Sequence, residues 1–462
     1  MKNAYQKRVL VLALFAGEIM MKNGAEISRV EDTIVRICKS CKIDYVECFV
    51  TMTGIFLSLD VDNEEADMHT FIKRINYTTT NLTKISQINQ FSRVFTSTDL
   101  SVEDGFEQLK VINAGKEYHF LLRLLAAFLI GAFMVPPYGG TIPDMFCSAI
   151  ASCAAFSMSA AIDILKFPPF IRIFISSAIA ALIGFILVKT GIGTSITPVL
   201  LGAVTMFMPG VSITNAARDL LSGDMLSGVA RVAQAIIVAV AIAGGIGVMM
   251  KVWLLSFGAL PEWTKIVYPA PLFLLFGMIA SIAFSILFRA PFKQFFAISI
   301  IGGIGMYVNI GGGILGYSAV ATCFVGSCIM AILAEITSRI RKDASTLFIL
   351  PGIIPFVPGN TLYQAMEKVL NGDLNAAATF GTEAFIISGS IALALVSVAS
   401  VRRLVTALLR KIKTIKAQKK SVVTEEQNIT DSTSAVDNVA TTEAGNTSSI
   451  EAENDSKENT SE

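Results

Sequence analysis

The stretch MPGVSITNAARDLLSGD, residues 208–224, is written a second time as VPGNTLYQAMEKVLNGD, residues 357–373. Both open with Pro-Gly and close with Gly-Asp. Pro209 and Pro358 differ by 149 (358 − 209), and Asp224 and Asp373 by the same amount (373 − 224). The match continues upstream. TPVLLGAVTMFMPG sets Thr197, Leu201 and Phe207 against Thr346, Leu350 and Phe356 of TLFILPGIIPFVPG. An ungapped match of this kind points to a duplicated unit.

The surrounding composition places both copies in lipid. Hydrophobic residues make up 53% of the 462, charged residues 16%, and the mean hydropathy is +0.62; soluble domains carry about 25% charge. A net charge of +1 gives no reason to expect a nucleic-acid partner. His69 and His119 are the two histidines, which argues against a His-built metal centre, and no cofactor is expected. Cys38 and Cys41 form a lone C-x-x-C near Cys48 with no second pair, so inert thiols are the expectation. The N-terminus has no small-residue cleavage site and Glu18 interrupts its apolar run, so no signal peptide is expected.

Working outward, residues 1–117 read as a cytoplasmic α+β domain. RVLVLALFAGEIMM has helical spacing, and Ser28 with Glu31 fits a capping box for a second helix, with Arg29 and Asp32 as a solvated face. YVECFV, TGIFLSLD and HTFIKRIN read as strands, with a turn at DVDN. Leu82, Ile85, Ile88 and Phe91 mark another helix, and Ser101 with Asp104 starts one more. The tail, 411–462, begins basic and then lacks the apolar content to fold, so it reads as disordered.

Between them lie ten candidate spans, each long enough for a bilayer core that needs about 20 helical residues. Five fall near 119–136, 143–164, 170–188, 195–215 and 229–250, within a first repeat at 118–252. Five more fall near 266–288, 294–310, 313–337, 344–363 and 376–401, within a second at 266–405. With both termini cytoplasmic, the inner loops hold Lys166, Arg172, Arg218, Arg231, Arg289, Lys293, Arg339, Arg341, Lys342, Arg402 and Arg403. The outer loops hold Lys189, Lys251, Lys265 and Lys368. That bias fits the positive-inside rule. Five is odd, so consecutive units enter from opposite sides. The fold expected is a mainly α membrane protein with two inverted five-helix repeats, a build used by secondary transporters.

The repeated stretch supplies the candidate site. Proline removes an amide and clashes with the preceding turn, so Pro209-Gly210 and Pro358-Gly359 should break their spans. Freed amides attract carboxylate and freed carbonyls attract ammonium; a zwitterionic amino acid needs both. Thr214, Asn215, Arg218, Asp219, Asn360, Thr361 and Gln364 complete the substrate-binding candidates. Asp163, Glu335 and Glu383 fall within candidate spans and are the proton-coupling candidates, since an ionisable group at membrane depth is expensive. Pairing of Asp163 with Lys166, or of Glu335 with Arg339, is the plainer reading of the first two. The glycine clusters at 244–247, 302–305 and 311–313 lack a preceding strand and read as helix packing.

GAEISRVEDTI at 24–34, PGVSITNAARDLLSGD at 209–224 and the copy PGNTLYQAMEKVLNGD resemble recurring stretches of the threonine/serine exporter family. The resemblance covers about 1–405. It implies an exporter of small amino acids, threonine and serine above all, driven by the proton motive force in a bacterial plasma membrane. Protons and a small-molecule substrate are the partners it implies, membrane lipid follows from composition, and the sequence leaves a homo-oligomer open. Some relatives divide into two chains and are linked with succinate export, so a dicarboxylate is the alternative cargo. The family's N-terminal domain has been likened to a hydrolase, but no Ser-His-Asp or Cys-His set appears here, and no enzyme is expected. A membrane sensor acting through residues 1–117 is the rival from another class.

Overall fold

The computed structural model describes residues 2–43, 45–60, 68–115, 117–258, 265–370, 372–408 and 411–412. The turn residues 61–63, part of the junction between the repeats and nearly all of the tail lie outside these. Residues 1–398 form one compact unit; the second, from residue 399, contains in its described part the end of the last helix and residues 411–412.

The amino-terminal part holds α1 (Lys2–Lys22), α2 (Ile27–Ser40), a meander of β1 (Val46–Thr51), β2 (Gly54–Asp60) and β3 (Met68–Arg74), then α3 (Leu82–Ser97) and α4 (Val102–Ala114). The strands are antiparallel, with Val46 opposite Leu59 and Phe56 opposite Ile72. Ile55 and Leu57 turn inward from β2 and are buried with Ile19, Ile34 and Ile37, the apolar stripes of α1 and α2. Glu18 on α1 accepts from Lys22 at 2.7 Å and pairs with Lys73 of β3 at 3.0 Å. The Ser101 side chain caps α4 by accepting from the Asp104 amide. Ser28 does not cap α2: Glu26 holds that position, and its side chain makes no capping bond to the first helix amides. The expected partner, Glu31, instead accepts the Val50 amide of β1 at 3.0 Å, and so ties helix to sheet.

The rest is helical: α5 (Phe120–Phe133), α6 (Ile142–Ile164), α7 (Pro169–Lys189), α8 (Ile196–Val204), α9 (Gly210–Ser222), α10 (Met225–Phe257), α11 (Ala270–Leu287), α12 (Phe295–Ile314), α13 (Ala319–Arg341), α14 (Ser345–Ile353), α15 (Gly359–Leu370) and α16 (Leu374–Leu408). Eight helical segments among the described residues are long and apolar enough to cross a membrane. The expectation of ten differs at two places, 195–215 and 344–363. Each is a short apolar helix, 196–207 or 345–356, ending in a 3-10 turn and followed by a separate amphipathic helix. The cause is local. A residue before proline is pushed out of the helical region, and Met208 and Val357 take ψ of 135° and 132°. The starts of α8 and α14, α9 and α15, and α10 and α16 each differ by 149 (345 − 196; 359 − 210; 374 − 225).

Two opposite ends of the bundle can be told apart. At one, α3 docks: the Leu82 and Thr83 amides donate to Phe288 and Arg289 carbonyls, and Ser86 donates to Asp343. At the other, the Ile266 amide donates to Gly139, and Tyr268 to Gly140. Near it Asp144, fully buried, accepts from the Thr194 and Ser195 amides at 2.7 and 3.0 Å. The Gln294 amide meets the Asp343 carboxylate at 2.7 Å in the other half, so acid and partner have changed places along the chain.

Close packing at α12 gives one prediction. A Cβ on Gly302 would stand 1.8 Å from Ser281 Oγ on α11 and 3.2 Å from the Gly352 backbone on α14. Gly302→Ala should therefore destabilise by about 1–3 kcal/mol. Thermal unfolding in detergent checks this, and Ser281→Gly in the same chain should recover part of the loss.

Candidate functional site

Helix α8 begins beside Thr194, at the end away from α3, and runs to the Pro209 break. Helix α14 begins just after Asp343, at the α3 end, and runs to the Pro358 break. The two broken segments thus approach each other antiparallel, and their breaks meet. A Cβ on Gly210 would lie 2.6 Å from Val357 Cγ2, and one on Gly359 would lie 2.2 Å from Met208 Sδ. Only a residue without a side chain lets the two strands of backbone cross this closely. Tyr138 flanks the crossing, its Oη 3.4 Å from the same Gly359 position. No side chain caps α9, so its first amides face the crossing with no side-chain acceptor of their own.

Beyond the crossing, α9 carries two kinds of face. Ile213, Ala216 and Leu220 line a partly open apolar pocket of about 580 Å³, together with Ala365, Ala377 and Ser388 of α15 and α16. Asn215 and Asp219 occupy the adjoining stripe, one turn apart, where i and i+4 side chains stand one above the other. Asp219 is 4% exposed and accepts from Arg231 Nε of α10 at 2.8 Å. Asn215 is 2% exposed, and neither its Nδ2 nor its Oδ1 has a partner. Buried polar atoms are nearly always paired, so an unpartnered amide beside the break is a group waiting for a ligand or a water.

The other candidates divide. Pro209, Gly210, Pro358 and Gly359 come together at the crossing. Thr361 and Gln364 lie half-buried on α15. The side chains of Thr214, Arg218 and Asn360 lie outside what the structure describes. Asp163 pairs with Arg172 rather than Lys166; Lys166 instead takes the left-handed turn that ends α6, with φ of 57°. Glu335 is half-buried one turn before Arg339 on α13. Glu383 is exposed on α16 and lines, with Thr379, Thr382 and Val320, an open groove of about 570 Å³. Asp144 and Asp163, at opposite ends of α6, stand about 28 Å apart at 1.5 Å per residue, too far to act as a pair.

Two acids that sequence reasoning set aside, Glu26 and Glu31, stand at the start of α2. The charge of Asp224, at the end of α9, acts on Glu31 of α2, and the charges of Asp224 and Glu26 act on Asp219. Burial pushes the Glu31 carboxyl up; the Val50 amide pulls it down, and Asp224 adds to the rise. The sequence signal was the acidic spacing in GAEISRVEDTI, read there as helix capping. The Cys38 and Cys48 thiols are pushed up to about 12, burial being the main cause, which leaves almost no thiolate at neutral pH. Among the described residues, no group of three or more His, Cys, Asp or Glu is placed to hold a metal.

Comparison with known proteins agrees with this architecture. Residues 11–253 match a family profile described as "Putative threonine/serine exporter", and residues 274–401 match a second, described as "Threonine/Serine exporter, ThrE". A Mycobacterium tuberculosis protein named "Probable threonine/serine exporter" is 20% identical over 377 residues, covering 78% of this chain and 70% of that protein. No solved structure matches. The two profiles meet across the junction between α10 and α11, and the first takes in most of the amino-terminal part together with the first broken segment. A multi-pass membrane chain with this element order, matched along most of its length, belongs to the threonine/serine exporter family.

Proposed function

We propose that the protein is a secondary exporter of threonine, serine or a similar small amino acid, driven by the proton motive force. The crossing of the two breaks is its substrate site. One observation carries the reading: Asn215 lies buried with an unpartnered amide one turn from a crossing built of glycine and proline. Uncapped α9 amides attract the substrate carboxylate, while Asn215 and the Asp219–Arg231 pair offer polar contacts on the same segment. The two halves act as inverted repeats that exchange access around the crossing, and protons move through one of the carboxylates. Glu383, facing an open groove, suits that role better than Asp163, which Arg172 already engages.

The turns support the orientation with both termini cytoplasmic. Three positive-φ positions at the α3 end are basic: Lys166, Arg289 and Lys342. Their counterparts at the other end, about 150 residues away, are Gly316, Gly139 and Gly191, also at positive φ. Left-handed backbone costs a non-glycine residue roughly 1–2 kcal/mol. Lysine and arginine at these sites argue for the positive-inside rule prevailing over backbone preference. The α3 end, the amino-terminal domain 1–117 and the tail 411–462 are then cytoplasmic, in a bacterial plasma membrane.

The test is efflux from proteoliposomes under an imposed proton gradient, with labelled threonine and with serine and succinate as competitors. Threonine efflux that collapses with the gradient supports the reading. Efflux indifferent to the gradient removes the coupling, and succinate efflux without threonine efflux removes the cargo. Tags beside Gly223 and Gly372 should be accessible from opposite sides of the membrane; labelling from one side would rule out inverted repeats.

A further inference from the structure

Helices α7 and α10 pack side by side and both end away from α3, at Lys189 and Phe257. On α7, Leu182, Phe185, Ile186 and Lys189 fall at i, i+3, i+4 and i+7 and so share one face. On α10, Met249, Val252, Trp253 and Phe257 repeat that spacing, and the two faces line a groove of about 170 Å³. Phe185 stacks on Trp253 with ring centres 5.0 Å apart, and Phe257 tilts against Trp253 at 4.8 Å. Lys189 Nζ stands over these rings, 4.5 Å from the centre of Phe257 and 5.8 Å from that of Trp253. The Ile186, Leu187 and Val188 carbonyls already accept from the amides of Thr190, Ile192 and Gly191, so the ammonium is not needed to close the helix end. Among the described residues no carboxylate pairs with it. Trp253 is 8% exposed, and its indole Nε1 is buried without a partner among the described residues.

We propose that this groove binds an anionic phospholipid, with the phosphate held by Lys189 and the Trp253 indole and an acyl chain laid along the apolar face. Both helices end here, at the level of a membrane where tryptophan gathers and headgroups lie. Buried donors are nearly always paired, so the acceptor for the Trp253 N–H is supplied by what enters the groove. The rings engage one side of the Lys189 ammonium. It carries three N–H donors, and those turned away from the rings are left for an anion. Leu182, Ile186 and Val252 are exposed, as residues that face lipid are. Cation, buried donor and apolar face thus match the three parts of one molecule. The positive charge selects the headgroup: a phosphatidylglycerol keeps its full negative charge beside it, whereas the choline of phosphatidylcholine brings a second cation. The site lies outside the crossing and does not depend on the exporter reading.

The chain has two tryptophans, so Trp263→Phe leaves Trp253 as the reporter. The experiment reconstitutes that variant in vesicles and measures quenching of its fluorescence by brominated phosphatidylglycerol and by brominated phosphatidylcholine. The expected result is a preference for phosphatidylglycerol of about fivefold, the worth of one lysine beside an anionic lipid. Adding Lys189→Gln should remove the preference, and adding Lys251→Gln, on another face of α10, should not. Equal quenching by the two lipids overturns the site, as does a preference that survives Lys189→Gln. Glu262 lies outside the described residues; a preference that appears only with Glu262→Gln gives Lys189 to that carboxylate and also overturns the site. Thermal unfolding of the unaltered chain in detergent is the second measurement. Phosphatidylglycerol should raise its melting temperature more than phosphatidylcholine does, and the excess should vanish in Lys189→Gln; no excess in the unaltered chain counts against the site in the same way.

Discussion

Asn215→Leu should sharply reduce threonine efflux and, at the same time, raise thermal stability. The side chain is buried with an unmet donor and an unmet acceptor. Each buried group left without a partner costs about 1–3 kcal/mol. Leucine keeps the branching and the heavy-atom count, takes more room with its methyl groups and has no polar atoms; removing the unmet polar groups should raise the melting temperature, by the equivalent of at most about 1–3 kcal/mol. A ligand that uses the amide loses those contacts, and efflux should fall by about a hundredfold, since 1.4 kcal/mol is a factor of ten. Gain of stability with loss of activity is the signature of a binding group. Parent-like efflux from a well-inserted leucine variant would refute the assignment, and a lower melting temperature would show that the amide is satisfied in the resting protein. Gln364→Leu on α15 is the natural comparison. Its side chain is half-buried, so little gain in stability is expected, whereas efflux should still be lost if the copy contributes to the site.

Removing one partner of the Asp219–Arg231 pair should be the most damaging single change in the first half. The two are 4% and 8% exposed and joined at 2.8 Å. Arg231→Met leaves a buried carboxylate without its partner among the described residues, at a cost of about 3–5 kcal/mol. Most of the variant should fail to accumulate in the membrane. Removing both charges, with Asp219→Leu added, should restore accumulation, because replacing a whole buried pair by apolar residues is often neutral or stabilising. The double variant then isolates the role of the pair: it should fold and yet transport poorly. Normal accumulation of Arg231→Met would mean that Asp219 does not depend on this guanidinium.

Much of the fold was legible because its causes are local. Apolar runs of the right length marked ten spans, and at eight of these places the described residues hold a helix long and apolar enough to cross a membrane. The break positions could be read as well, since a proline dictates the backbone of the residue before it, whatever surrounds it. The α4 cap at Ser101 was legible for the same reason. Errors arose where a side chain had a choice of partners. Glu31 matches the spacing of a capping box, but the Val50 amide, 19 residues on, takes it. Asp163 has Lys166 three residues away, yet Lys166 is committed to a left-handed turn and Arg172 reaches the carboxylate instead. The division of two expected spans into four helices was visible as prolines, but not the direction in which each piece departs.

The sequence by itself determined that this is a membrane protein with one motif written twice and broken at the same place. Hydropathy, proline geometry and an ungapped spacing are properties of the chain, and no neighbour can change them. The tertiary structure decided that the two breaks cross, that Asn215 is left unpartnered beside them, and that Glu31 of α2 is taken by the Val50 amide. Those depend on which surfaces pack together. Packing follows from the shape of the whole helix bundle and cannot be read from any one segment of it.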